Sequence, residues 1–379
     1  MPITISSDFD AGNIEVLNLD GAKAELNIRK DHQSDFYQWF YFRVDGAANT
    51  ALELSITNAG QSAYPGGWPG YKACVSDDNA TWVRTDTTYD NGTLTIRHTP
   101  AGDTVWFAYF APYSEQRHQA LIADYSALPG VSRTVLGLTL DGRPMDLLTL
   151  GEGPLQVWLY ARQHPGETMA EWWMEGALDV LTGTDPAIAA LRRAATINIV
   201  PNMNPDGSAR GHLRTNAVGV NLNREWVTPS PERSPEVLCV LDRMAQTGVD
   251  FAIDVHGDEA IPHVFLAGFD GIPSWNEGLQ ALYDQYAQIL AGRTPDFQTT
   301  AGYPKNAPGT ANLTISGNQM AERFGAVSMT LEMPFKDHDD APDPVAGWSP
   351  ERSRALGRQS ILTICDMLDS LSKKRTNAA

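Results

Sequence analysis

Cysteine is scarce in this 379-residue chain: Cys74, Cys239 and Cys365 stand far apart, odd in number, with no Cys-x-x-Cys pair. That usage argues against a disulfide scaffold and fits a reducing compartment. Basic residues are in the minority, 28 Lys and Arg against 46 Asp and Glu, giving a formal charge of −18 and a pI near 4.7. A surface of that sign repels phosphate backbones, so nucleic acid and anionic membranes are excluded as natural partners. No apolar run approaches the roughly 18 residues that would span a bilayer. The opening MPITISSDFDAG has neither the basic region nor the apolar core of a secretory signal. Internal repeats and low-complexity tracts are also lacking. A soluble, cytoplasmic protein is expected.

What is present is ample material for cores: 42% hydrophobic residues, with 10 Trp, 12 Tyr and 12 Phe. The length predicts two domains rather than one. Residues 1–112 show no helical periodicity. Short aromatic and β-branched runs recur at 35–44, 51–56, 72–75, 81–84, 92–98 and 104–108, separated by clusters such as YPGGWPG and SDDNA. Closely spaced strands with turn punctuation predict an N-terminal antiparallel β-sandwich. Asp45-Gly46 and Asn91-Gly92 are hairpin signals, and Trp39, Trp68, Trp82 and Trp106 are expected in its core.

From residue 113 to about 375 the texture changes to an α/β domain, a mixed sheet covered by helices. Helices are expected over 114–127, with Ser114 as N-cap, and over 168–182, 275–292 and 350–372, with a frayed tail beyond. Strands are expected at 155–161, 195–201, 249–255 and 326–333, and in two runs around Asp141-Gly142. The segments that follow 201 and 255 read as long loops.

Polar residues cluster after these strands. His164 and Glu167 follow the first, in the turn His-Pro-Gly-Glu; Asn202, Asn204, Asp206 and Arg214 follow the second; His256 follows the third, and Glu332 ends the fourth. Open α/β sheets bind ligands beyond the carboxyl ends of their strands, so one rim receives two His, two Glu, an Arg and several amides. His164, Glu167 and His256 form a set able to fill three positions of a zinc and leave the fourth to water. Amide hydrolysis there needs a base, for which Glu332 is placed, and a cation for the developing oxyanion. Arg214 or Arg224 suits that task, and the other arginine, with Asn223, suits a substrate carboxylate.

HPGE, NMNPDG, NLNREW, DVHG and TLEM, in this order, resemble the M14 zinc carboxypeptidases, and the preceding β-rich region resembles the cytosolic carboxypeptidase branch, the deglutamylase group. The likeness covers most of 112–375 by motif order and 1–111 by general character. It implies one zinc ion held by His164, Glu167 and His256, with Glu332 as general base and Arg214 polarising the carbonyl. It also implies Asn223 and Arg224 as the clamp on the C-terminal carboxylate of a peptide or protein, with glutamate a candidate terminal residue. Asn221 stands where digestive members carry an Asp that orients a zinc-ligating His. Tyr303 is the candidate for the tyrosine that closes over substrate in those members.

Other readings stay open at this level. Asp258 and Glu259 are read as solvated or supporting rather than as ligands of a second metal, and Asp206 as structural. An acidic substrate side chain would need a local cation, and Lys305, Arg323 and Lys336 are the basic residues near the last motifs. An amidohydrolase of the aspartoacylase or succinylglutamate-desuccinylase type shares the HxxE…H arrangement but not the N-terminal β region. A non-catalytic interaction module with a structural zinc would call for a fourth protein ligand. Nothing in the sequence bears on oligomeric state.

Overall fold

Among the residues described by the computed structural model, 2–378, ten strands precede residue 110. They are β1 (Thr4–Ser6), β2 (Glu15–Asp20), β3 (Lys23–Asn27), β4 (Tyr41–Asp45), β5 (Leu52–Ile56), β6 (Cys74–Ser76), β7 (Val83–Arg84), β8 (Asp86–Asp90), β9 (Thr93–His98) and β10 (Thr104–Ala108). They make two five-stranded sheets, ordered β1-β4-β10-β6-β7 and β2-β3-β5-β9-β8. Alternate side chains point inward: Phe42, Val44, Val105 and Phe107 from one sheet share a core with Leu26, Leu54, Leu94 and Ile96 from the other. The expected sandwich is therefore present. Its pairing is antiparallel except between β3 and β5, which run parallel.

Asn91 and Gly92 join β8 to β9 with φ of +47° and +82°, the left-handed pair that a tight hairpin demands. Asp45-Gly46 makes no hairpin, because β4 and β5 belong to different sheets. Of the run expected over 35–44, only the end is strand. Gln38 instead exchanges hydrogen bonds with both the N–H and the carbonyl of Tyr64, which holds that stretch off any ladder. Trp39, Trp68 and Trp82 are buried as expected, while Trp106 is half-buried.

Beyond residue 114 the elements alternate: α1 (Glu115–Ser126), β11 (Val131–Leu138), β12 (Pro144–Leu150), β13 (Leu155–Ala161), α2 (Met169–Leu181), α3 (Pro186–Ala194), β14 (Ala195–Val200), α4 (Pro205–Arg210), α5 (Pro235–Thr247), β15 (Phe251–Asp258), β16 (Phe265–Ala267), α6 (Glu277–Arg293), α7 (Ser316–Phe324), β17 (Val327–Pro334), α8 (Pro350–Asp366) and α9 (Leu368–Ala378). One seven-stranded sheet runs β11-β12-β14-β13-β15-β17-β16. Its centre, β14-β13-β15-β17, is parallel, and the remaining pairs are antiparallel. Ser114 caps α1 by accepting from the N–H of Arg117. Helix α2 crosses α8 closely because glycines sit at the crossing: a Cβ on Gly176 would lie 2.0 Å from the Arg354 carbonyl oxygen, and one on Gly357 2.2 Å from that of Trp173.

Two stretches read as loops from sequence carry structure. The segment after β14 contains α4 and α5, and α5 buries Val237, Val240, Leu241 and Met244 at helical spacing. The segment after β15 contains β16, which adds an antiparallel edge to β17. The tail does not fray where expected: α9 continues to Ala378, with Leu371 buried and Arg375 paired to Asp250. The β region and the α/β region share a single hydrophobic cluster. Across it, the Tyr109 ring stacks on Phe335 at 4.4 Å, and the Arg84 guanidinium donates to the carbonyls of Phe335 and Trp348.

Candidate metal centre and active site

Strand β13 ends in a turn that aims two side chains at one point. Arg162 adopts a left-handed φ of +59°, uncommon for a residue with a Cβ, and reverses the chain just before His164. Its buried guanidinium holds the turn from beneath, donating to the carbonyls of Pro165 and Tyr113 and pairing with the buried Glu171. Gly166 then approaches the next loop closely and donates its N–H to the Leu213 carbonyl at 2.9 Å. The result is a fixed His164–Glu167 pair on the sheet rim, with His256 beside it at the end of β15.

The three donors converge. His164 Nδ1 lies 2.7 Å from one Glu167 oxygen, His256 Nδ1 lies 2.7 Å from the other, and the two Nδ1 atoms are 3.1 Å apart. The far nitrogens are engaged: His164 Nε2 faces the Asn221 side-chain oxygen at 3.1 Å, and His256 Nε2 faces Asp254 at 2.9 Å. With those acceptors at Nε2, each ring can keep its proton there and offer the Nδ1 lone pair to a cation. Lone pairs and a carboxylate crowded around one point repel unless a cation sits among them, which is the donor set of a His₂Glu metal site.

Titration follows the same geometry. Burial, then the neighbouring Arg214, pull His164 down to about 4. Burial works against charge on His256 as well, but the Asp254 and Glu167 carboxylates overcome it and raise that ring. Burial raises Glu332 well above the carboxylate range; His256 opposes this, and Glu167, Asp258 and Glu259 add to it.

All seven residues singled out from the sequence (His164, Glu167, Arg214, Asn223, Arg224, His256 and Glu332) line one cavity of about 680 Å³. Glu332 presents a buried oxygen with no hydrogen-bond partner, as Arg214 does with its Nε. Arg214 comes within 4.0 Å of Glu167. Asn223 accepts from the Ser316 N–H at 2.9 Å. Arg224 has no carboxylate partner among the described residues, only the carbonyl of Asn223 at 2.6 Å. Partial desolvation against the cavity wall, then the adjacent Arg214 charge, lower its guanidinium from its ordinary range although the residue as a whole is exposed.

Tyr303 lines the same cavity; its hydroxyl donates to Asp258 at 2.7 Å and lies 3.4 Å from Glu332. Asp258 is further occupied by the N–H groups of Ala260 and Ile261, a supporting arrangement. Asp206 ties α4 to the β11–β12 hairpin through Thr139, Asp141 and Arg143. Of the three basic candidates, Lys305 lines the cavity, 3.7 Å from Asp270. Lys336 donates to the Pro69 carbonyl and Arg323 lies over Phe324. A second gathering, His263, His338 and Asp340, was not visible in the sequence. Both nitrogens of His338 are engaged there, Nδ1 by the Asp340 N–H at 3.1 Å and Nε2 by the Asp296 carbonyl at 2.5 Å, so it offers no free lone pair.

Sequence reasoning passed over Asp254, although the signal was present: in Asp-Val-His on a strand, residues two apart share a face. It also passed over Tyr64, which reaches the cavity from the N-terminal β region.

Comparison with known proteins agrees with this geometry. Residues 5–110 match the family profile described as the cytosolic carboxypeptidase N-terminal domain, and residues 118–261 match that of the zinc carboxypeptidases. An uncharacterised protein of Zymomonas mobilis is 58% identical over 372 residues, 98% of each chain. A metallo-carboxypeptidase from Pseudomonas aeruginosa, solved in complex with (2-guanidinoethylmercapto)succinic acid, superposes with a TM-score of 0.95 at 43% identity, covering 97% of this chain and 100% of that one. Human cytosolic carboxypeptidase 1 is 27% identical over 324 residues, 70% of this chain but 26% of its own length.

Proposed function

The chain belongs to the M14 zinc carboxypeptidases that carry a cytosolic carboxypeptidase N-terminal domain, and from that premise we propose that it removes single residues from the free C-termini of peptides or proteins. The unpaired Arg224 in the wall of the cavity carries this reading. A guanidinium without an anion, beside a metal site, suits a terminal carboxylate and would have no task in an endopeptidase. The ligand of the Pseudomonas relative carries the two carboxyls of succinic acid together with a guanidino group.

A zinc ion held by His164, Glu167 and His256 supplies Lewis-acid activation of water and of the scissile carbonyl. Arg224 and Asn223 hold the substrate's terminal carboxylate, which fixes the scissile bond one residue away. Glu332, on the cavity wall with one oxygen free of any partner, takes the proton of the attacking water and delivers it to the departing amine. Arg214 faces the oxygen on which negative charge develops and supplies a fixed cation for it. Asp254 and Asn221 orient the two imidazoles; an amide oxygen at Asn221 serves where digestive members have a carboxylate.

We infer an acidic terminal residue, glutamate foremost, as the substrate, with Lys305 the cation in the lining that would meet it. The N-terminal sandwich, residues 1–112, serves the catalytic unit 113–375, and the three unpaired thiols fit work in the cytoplasm.

The test is a panel of N-blocked peptides that differ only in the last residue, given to the zinc-loaded protein. Loss of one terminal residue, fastest for glutamate, is the expected result. Cleavage of N-acyl amino acids with peptides left intact would transfer the site to the amidohydrolase class.

A further inference from the structure

We propose that Asp31, in the N-terminal β region, is the positioning residue for Arg214 and thereby makes the β region part of the catalytic machinery. This rests on the role given to Arg214 above. Arg214 lies between α4 and α5 on a stretch with no strand or helix of its own. Such a segment does not hold a guanidinium against a developing charge unless something else orders it.

Asp31 supplies that order. It is 2% exposed, and its two oxygens accept four hydrogen bonds from three consecutive residues. Leu213 N–H donates at 2.7 Å, Arg214 N–H at 2.8 Å, Thr215 N–H at 2.9 Å and the Thr215 hydroxyl at 3.0 Å. Convergent backbone N–H groups make an anion-binding nest, and here the anion comes from the other end of the chain. The Leu213 carbonyl in turn receives the Gly166 N–H, so the same three residues connect Asp31 to the turn that presents His164 and Glu167.

Neighbouring contacts repeat the pattern. His32 N–H donates to His212 Nε2 at 3.0 Å, Asn13 donates to the Gly211 carbonyl at 3.0 Å, and Ala11 N–H donates to Ala209. The approach is too close for a side chain: a Cβ on Gly219, whose φ is +76°, would lie 2.4 Å from the Gln33 carbonyl oxygen. Two rings of the β region then flank the guanidinium itself, Tyr64 at 5.3 Å and Phe36 at 5.6 Å, a cation–π setting that fixes its direction. Backbone and head of Arg214 are thus both held by residues numbered below 65.

The experiment is a double-mutant cycle on the full-length, zinc-loaded protein, reading kcat, KM and bound metal. Asp31→Asn keeps the shape but turns one acceptor into a donor facing N–H groups. It is expected to lower kcat about 10- to 100-fold, with KM and metal content close to wild type. Combined with Arg214→Ala, it should cost nothing beyond what Arg214→Ala costs alone, because both act through one group. Phe36→Leu repeats the cycle with a milder change, should Asp31→Asn fail to fold, and is expected to lower kcat a few-fold with the same non-additivity. Wild-type kcat in Asp31→Asn, or full additivity with Arg214→Ala, overturns the proposal. An Arg214→Ala variant with wild-type kcat would instead overturn the role of Arg214 in the proposed reaction, and this proposal with it.

Discussion

The metal-facing wall of the cavity and the cation-bearing wall are held in different ways. His256 and Glu332 face each other in the parallel ladder of β15 and β17, while His164 and Glu167 stand on the turn just past β13, braced by the Arg162 guanidinium and the Leu213 carbonyl. Arg214 stands on an irregular stretch between α4 and α5 that Asp31 of the N-terminal region orders, and Asn223 and Arg224 stand further along in a short 3-10 turn, Leu222–Arg224, tied to the start of α7. The first wall rests on paired strands and on a braced turn beside them, the second on contacts between distant parts of the chain. Chemistry on a metal needs donors that do not move, and strand ends provide them. Grip on a substrate needs cations placed around a separate molecule, and that wall is assembled from distant parts of the chain.

Substitutions on the two walls should therefore fail differently. The largest effect is expected on the strand side: Glu332→Gln should lower kcat about 10²- to 10⁴-fold with KM nearly unchanged, as for loss of a proton-transfer group, measured on a peptide with a preferred terminal residue. On the loop side, Arg224→Ala should act mainly on KM, raising it roughly 10- to 100-fold, the size of a lost charge-assisted contact. A variant that lost kcat alone would erase the distinction between the walls. Back on the strand side, Asp254→Asn should weaken metal affinity about 10- to 100-fold through the loosened His256 ring, read by competition with a chelator. Asn221→Ala should do less, because its contact to His164 is longer and neutral.

The last effect concerns the stability of the loop wall rather than catalysis. Glu236, on α5, faces Asn216 on that loop, and burial raises its carboxyl from 4.5 to about 7. Its folded pKa lies above its unfolded one, so the native state binds more protons between those values and stability falls as pH rises through that window. Glu236→Gln should abolish the fall, gaining roughly 1–3 kcal/mol at pH 8 and nothing at pH 4, by denaturant titration at each pH.

The same division decided what was legible in the sequence. Strands β13, β15 and β17 announce themselves as apolar runs, and the residues just past them could be assigned to one rim before any coordinates. Helix α2, with its apolar stripe, and α1, with its Ser114 cap, were equally plain. The structure of the segment that bears Arg214 was not: Asp31 is 182 residues from Leu213, and no local pattern encodes such a pairing. Exposed β2 and the short β1 lacked the buried alternation that marks a strand. Helix α5 carried its stripe in full, but Pro and Ser at its start read as loop punctuation, although Pro is at home in a first helical turn.

The most direct test of the account compares two peptides identical but for the last group, one a free acid and one an amide, each incubated with the zinc-loaded protein and weighed by mass spectrometry. The expected result is loss of one residue from the free acid, none from the amide, and no loss from either after chelation. Cleavage of both at equal rates, or release of internal fragments, would contradict it, because the Arg224 wall would then have no part in choosing the bond.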